Sequence, residues 1–118
     1  MSRSSSWSLA ALAVVLLGCG GVPKPEVRLA SSEGAIRGAE EAGAQSVPQA
    51  TLHLKLAQEQ RERALELIKK DDNHRADMML ARAEADAELA LALSREAVAK
   101  EEAQKAADEV RALKKRAQ

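Results

Sequence analysis

Aromatic residues are almost absent from this chain. It has no phenylalanine and no tyrosine, and its one tryptophan, Trp7, lies in a short apolar run near the amino terminus. A core built around rings is therefore excluded for everything that follows that run. Cysteine occurs once, at Cys19, which excludes an internal disulfide. Proline occurs only at Pro23, Pro25 and Pro48, and glycine does not occur after Gly43, so nothing beyond Pro48 is a strong helix breaker. Neither sign of charge dominates: 18 Lys and Arg balance 18 Asp and Glu, and no net field steers the chain toward nucleic acid or acidic lipid. There is no glycine-rich phosphate loop and no Cys/His cluster, and His53 and His74 are far apart in sequence and expected at helix surfaces. A nucleophile needs a base and a pocket, and an alanine-rich chain without rings offers little concavity for one. No catalytic residue, metal ligand, cofactor or small-molecule substrate is indicated.

What is present begins with the run from Trp7 to Leu17, which follows the basic Arg3. At about eleven residues it is too short to span the hydrocarbon core of a bilayer, but it has the length of a signal-peptide core. It ends in Leu16-Leu17-Gly18-Cys19, aliphatic residues and a small residue before the cysteine. This resembles the lipobox of bacterial lipoproteins. The resemblance implies cleavage between Gly18 and Cys19 after residues 1–18, with diacylglycerol on the Cys19 sulfur and a fatty acyl chain such as palmitate on the new amine. Two or more acyl chains anchor a protein stably, where a single one holds only marginally. The next residue is Gly20, not the aspartate that retains enterobacterial lipoproteins in the inner membrane, which implies the outer membrane, periplasmic face.

The remainder is rich in alanine, leucine, glutamate, lysine, arginine and glutamine, the strongest helix formers. The expected class is all-α: a short helix plus an antiparallel helical hairpin whose last helix is long and overhangs as a coiled-coil-like rod. Residues 19–30, with two prolines and two glycines, read as a lipidated tether. Residues 31–118 read as the helical domain. A first helix capped by Ser31 or Ser32 stops at Gly43, with Ala35, Ile36, Ala39, Ala42 and Gly43 on one stripe. A second starts at Pro48 and repeats Ala50, Leu54, Ala57, Ala64 and Ile68 at heptad spacing, with Arg61 interrupting. Glu59–Arg63 and Glu66–Lys70 are spaced as helical ion pairs. Asp71-Asp72-Asn73 is a turn with capping residues, and a link this short makes its helices antiparallel neighbours.

The third helix is expected from about His74 to near Ala117, roughly 65 Å at 1.5 Å per residue. Its first half is apolar nearly all round, and Met78-Met79 are expected to fill core. Its second half keeps one seam, Ala99, Ala103, Ala106, Val110, Leu113 and Ala117, which extends back through Ala92, Leu89, Ala85 and Met78 with Glu96 and Arg82 as breaks. The second helix is about half as long as the third, so the seam after Ala97 has no intramolecular partner. Either it meets a second copy or another envelope protein, or it is a solvated helix held by pairs such as Glu96–Lys100 and Glu101–Lys105.

The runs Ala35-Ile36, Ala39, Ala42-Gly43-Ala44, Val47-Pro48, Leu54-Lys55-Leu56-Ala57 and Ala81, Ala83, Ala85-Asp86-Ala87-Glu88-Leu89-Ala90 resemble the bacterial domain-of-unknown-function 4398 family. That likeness covers about residues 29–93 and implies a short helical envelope lipoprotein, with no activity attached. The functional expectation is a non-enzymatic, lipid-anchored structural or adaptor element working through helix–helix contacts. The alternative is a periplasmic binding or chaperone-like module using an apolar groove between the helices.

Overall fold

The computed structural model describes residues 21–118, so residues 1–20, with the signal run and Cys19, lie outside the described part. Three α-helices follow one another: α1 (Glu26–Glu41), α2 (Pro48–Lys69) and α3 (Asn73–Arg116). Their 16, 22 and 44 residues make a short helix and a hairpin with one long arm.

Helix α1 begins five residues earlier than the tether of residues 19–30 allowed. Pro25 occupies the N-cap, and the Leu29 amide already donates to its carbonyl at 2.9 Å. A proline just ahead of a helix loses nothing, because the first amides have no intrahelical acceptor, and Glu26 sits well at the positive end of the helix dipole. The two serines are therefore not caps. Ser32 is buried in mid-helix and returns its hydroxyl to the Leu29 carbonyl at 2.9 Å, while Ser31 donates to Glu84 of α3.

At the other end Gly43 takes the left-handed conformation, φ 82°, that closes a helix. A 3₁₀ turn over Ala44–Ser46 leads to an extended Val47, as the following proline requires, and Pro48 opens α2. The Thr51 hydroxyl ties the turn down by donating to the Ala44 carbonyl at 2.8 Å. The α2–α3 link is a Schellman closure: the Asp71 amide donates to the Ile68 carbonyl at 3.0 Å and the Asp72 amide to the Leu67 carbonyl at 2.9 Å. Asp71 supplies the left-handed residue, φ 59°, that glycine more commonly provides. Asp72 then caps α3 by accepting from the Arg75 amide, and the Arg75 guanidinium beside it holds its carboxyl below the ordinary range.

The core is a set of seams of small residues. On α3 the buried positions are Asn73, Ala76, Leu80, Ala83, Ala87, Ala90 and Ser94, spaced alternately three and four. They face Ala50, Leu54, Ala57 and Ala64 of α2 and Ser32, Ile36 and Ala39 of α1. Cross-links at the flanks give the directions. Arg28 reaches Asp77, while Ile36 and Ala39 further along α1 pack with Ala87 and Ala90 further along α3, so α1 runs parallel to α3, whereas Arg61 of α2 reaches back to Glu33 and Gln58 to Glu40. Leu80 is the largest side chain that is fully buried. Leu80→Ala is expected to lower unfolding free energy by about 2–4 kcal/mol, read by urea denaturation.

Candidate functional site

The candidate partner seam consists of Ala99, Ala103, Ala106, Val110 and Leu113. All five lie on one stripe of α3, and every residue from Val98 to Gln118 is exposed. Helices α1 and α2 end their packing on α3 at about Ser94 to Ala97, which leaves the rest of α3 bare for about 30 Å.

The seam continues toward the start of α3 on the outer face of the bundle. Met78, Ala85, Leu89 and Ala92 are exposed, with Met78 at 48%, Leu89 at 42%, Val110 at 50% and Leu113 at 62%. The buried seam through Leu80 and Ala87 lies on the opposite side of the helix. Taken as heptads, the buried residues occupy one pair of positions and the stripe another pair about 160° around the cylinder. Helix α3 thus has two apolar faces: one covered by α1 and α2, and one running from Met78, at the edge facing α2, to Leu113, exposed among the described residues. In the overhang the first face turns polar, with Glu101, Gln104, Asp108 and Arg111 at the continuing positions. Met78 is therefore not core filling; Met79 is, packed against the Ala64, Ala76 and Leu80 cluster.

Two polar positions behave differently from their sequence reading. Arg61, which interrupts the α2 repeat, is half-buried and donates from Nε (3.1 Å) and Nη2 (2.5 Å) to Glu33 of α1. His53 is half-buried, not solvated. Its Nδ1 donates to Asp86 Oδ1 at 2.9 Å, while Gln60 donates to Asp86 Oδ2 at 2.8 Å. One carboxylate of α3 thus joins two residues of α2 one heptad apart. The spacing of His53 and Gln60 could have revealed the arrangement only with the helix register in hand. Neither Glu59–Arg63 nor Glu66–Lys70 forms; Glu66 pairs with Lys69 instead. The overhang pairs do form, Lys100 to Glu96 at 2.5 Å and Lys105 to Glu101 at 2.6 Å.

Among the described residues no three His, Cys, Asp or Glu side chains converge as a metal site, and no helix is long and apolar enough to cross a membrane. An open groove of about 490 Å³ lies beside the α2–α3 turn, lined by Leu67, Met78 and Met79 together with Arg63, Glu66, Lys70, Arg75 and Arg82. Near it the Asn73 side-chain amide donates to the Val22 carbonyl at 2.8 Å, fastening the start of the described chain to the hairpin end of the bundle. Comparison with family models, with curated proteins and with solved structures finds no match to this chain.

The overhang has no tertiary contact among the described residues, so its side-chain pairs matter more than elsewhere. Lys100 and Lys105 hold the carboxyls of Glu96 and Glu101 below the ordinary value of 4.5 by hydrogen bonding and charge. A carboxyl depressed in the folded state contributes fully above its unfolded pKa and ceases to contribute as pH falls through the lower folded value. Helix content is expected to drop below about pH 4.5 in the wild type. The drop should be smaller in Glu96→Gln/Glu101→Gln, as followed by far-ultraviolet circular dichroism.

Proposed function

We propose that this chain is a lipid-anchored helical protein of the bacterial envelope that acts, without catalysis, as a structural or adaptor element through helix–helix contacts. The observation that carries the reading is the bare apolar stripe of α3, through Ala99, Ala103, Ala106, Val110 and Leu113, on a helix twice as long as the one it pairs with. A helix of that length without tertiary cover is marginal in water, and a partner helix supplies what the chain itself does not.

The anchor is Cys19, after cleavage behind Gly18. From Cys19 to Val22 the chain reaches at most about 11 Å. The hydrogen bond from Asn73 to Val22 supports an orientation in which the α2–α3 turn lies near the bilayer and the overhang points away from it. The absence of aspartate at Gly20 favours the outer membrane, periplasmic face, and the likeness to the 4398 family agrees with that compartment.

A second reading, an amphiphile-binding or chaperone-like module, draws on the groove over Leu67, Met78 and Met79. Two experiments separate the possibilities. Cys19→Ser should abolish fatty-acid labelling and release the chain from the outer-membrane fraction; a protein unlabelled before the substitution and equally pelleted after it removes the anchor from the account. Deleting the residues after Ala97 should abolish the adducts captured by crosslinking in the native envelope if the overhang is an adaptor. If the groove is the active feature, the adducts and uptake of an apolar dye should both survive the deletion.

A further inference from the structure

The outer stripe of α3 carries more than an exposed apolar face, because its flanks specify what can lie against it. Its residues are Met78, Arg82, Ala85, Leu89, Ala92, Glu96, Ala99, Ala103, Ala106, Val110, Leu113 and Ala117, alternating steps of four and three. That is the spacing of a two-helix seam. Each member at the Leu89, Glu96, Ala103, Val110 and Ala117 positions is preceded by a flanking residue: Glu88, Arg95, Glu102, Glu109 and Arg116. Each member at the Ala92, Ala99, Ala106 and Leu113 positions is followed by Leu93, Lys100, Ala107 and Lys114.

A second copy laid parallel and in register fails on charge. Arg82 meets Arg82 and Glu96 meets Glu96 inside the seam, and Arg95 flanks Lys100; only Glu109 with Lys114 is complementary. Like charges in such positions oppose pairing.

An antiparallel copy removes these conflicts in one register. Leu89 then faces Leu113 of the second copy, Ala92 faces Val110, Ala99 faces Ala103 and Ala85 faces Ala117. Glu96 faces Ala106, and Arg82 falls beyond the end of the partner helix. At the flanks Glu88 meets Arg116 and Arg95 meets Glu109, each pair occurring twice by the two-fold symmetry. The like pairs left are Glu102 and Lys100, each against itself on the axis, on opposite edges and near solvent. The overlap runs from Ala85 to Ala117, about 50 Å at 1.5 Å per residue. Helices α1 and α2 do not obstruct it, since they occupy the opposite side of α3.

We infer that the partner of this stripe is a second copy of the same chain, bound antiparallel with Leu89 against Leu113 and the two-fold axis between Ala99 and Ala103. This rests on the helix–helix reading above and gives it a definite occupant. A closed two-fold pair of this kind buries the same stripe on both chains and leaves no end open to further growth. It also sets Val22 of the two copies at opposite ends of the rod, because Val22 is fixed to Asn73 at the start of α3; with both Cys19 anchors in one bilayer the paired rod lies along the surface, and the upright orientation belongs to the unpaired chain.

Introduced thiols test the register. In the full chain, Cys19→Ser removes the natural thiol, and Leu89→Cys and Leu113→Cys are placed in separate versions. Both positions are exposed on the outer face, so neither substitution touches the buried seam, and circular dichroism checks that the helix is retained. Under mild oxidation the mixture should give a disulfide-linked heterodimer, while neither version alone should do so. Adding Val110→Glu to both should cut the heterodimer yield tenfold or more, whereas association through the amino-terminal apolar run would be untouched by it. Homodimers from each version alone would overturn the antiparallel register and leave self-association standing. No disulfide in any mixture, with a monomeric mass at every concentration, would overturn self-pairing. In that case envelope adducts lost on deletion after Ala97 would still uphold the adaptor reading with another partner, and no adducts at all would remove that reading too.

Discussion

Close approach of helix backbones along seams of alanine is the constraint from which the rest of the structure follows. Where Ala57, Ala64, Ala76, Ala83, Ala87 and Ala90 meet, no side chain props the helices apart, and their methyl groups are fully buried. Each such contact buries little apolar area, at roughly 25 cal/mol per Å², so the bundle depends on many small contacts and a few larger ones, chiefly Leu80, Leu54 and Ile36. Close packing also brings the flanking polar side chains within reach across the seams. That is why Glu33 and Arg61, His53 and Asp86, and Arg28 with Asp77 and Glu84 can bridge between helices. These pairs are partly solvated and each is worth little in energy. Their positions follow the helix directions, which the short links between the helices set.

Length mismatch shapes the molecule. Helix α2 covers only half of α3, and α1 covers less, so α3 leaves the bundle as a rod whose inner face has turned polar and whose outer face has kept its apolar stripe. The same outer stripe passes along the back of the bundle, which makes α3 a shared element: one side closes the monomer and the other is free for a neighbour. The hydrogen bond from Asn73 to Val22 puts Val22 at the other end of the described molecule from the overhang.

Much of the architecture was legible in the residues. Pro48, Gly43 and the Asp71-Asp72-Asn73 break mark real helix ends, because each acts through a local rule: fixed φ at the first helical turn, freedom of positive φ, and capping by a short side chain. The start of α1 was not legible. A proline-rich stretch reads as a spacer, yet Pro25 at the N-cap is as good a beginning as any, and whether the chain turns helical at Glu26 or five residues later depends on Leu29 finding α2 and α3 to pack on. The ion pairs split in the same way. Pairs on the lone overhang formed at their sequence spacing, while Glu59–Arg63 and Glu66–Lys70 on the packed helix α2 did not, with Glu66 taking Lys69 instead.

The sequence by itself determined that this chain is helical, where its helices stop, and that its last helix outruns the others. These follow from backbone propensity, breakers and length, which act within a few residues. Only the tertiary structure decided which of the two apolar faces of α3 is core. Ala83, Ala87 and Ala90 on one side and Ala85, Leu89 and Ala92 on the other are alike as residues, and periodicity cannot rank them. The choice was made by α1 and α2, whose own small side chains admit a close neighbour on the Leu80 side and leave the Leu89 side in water.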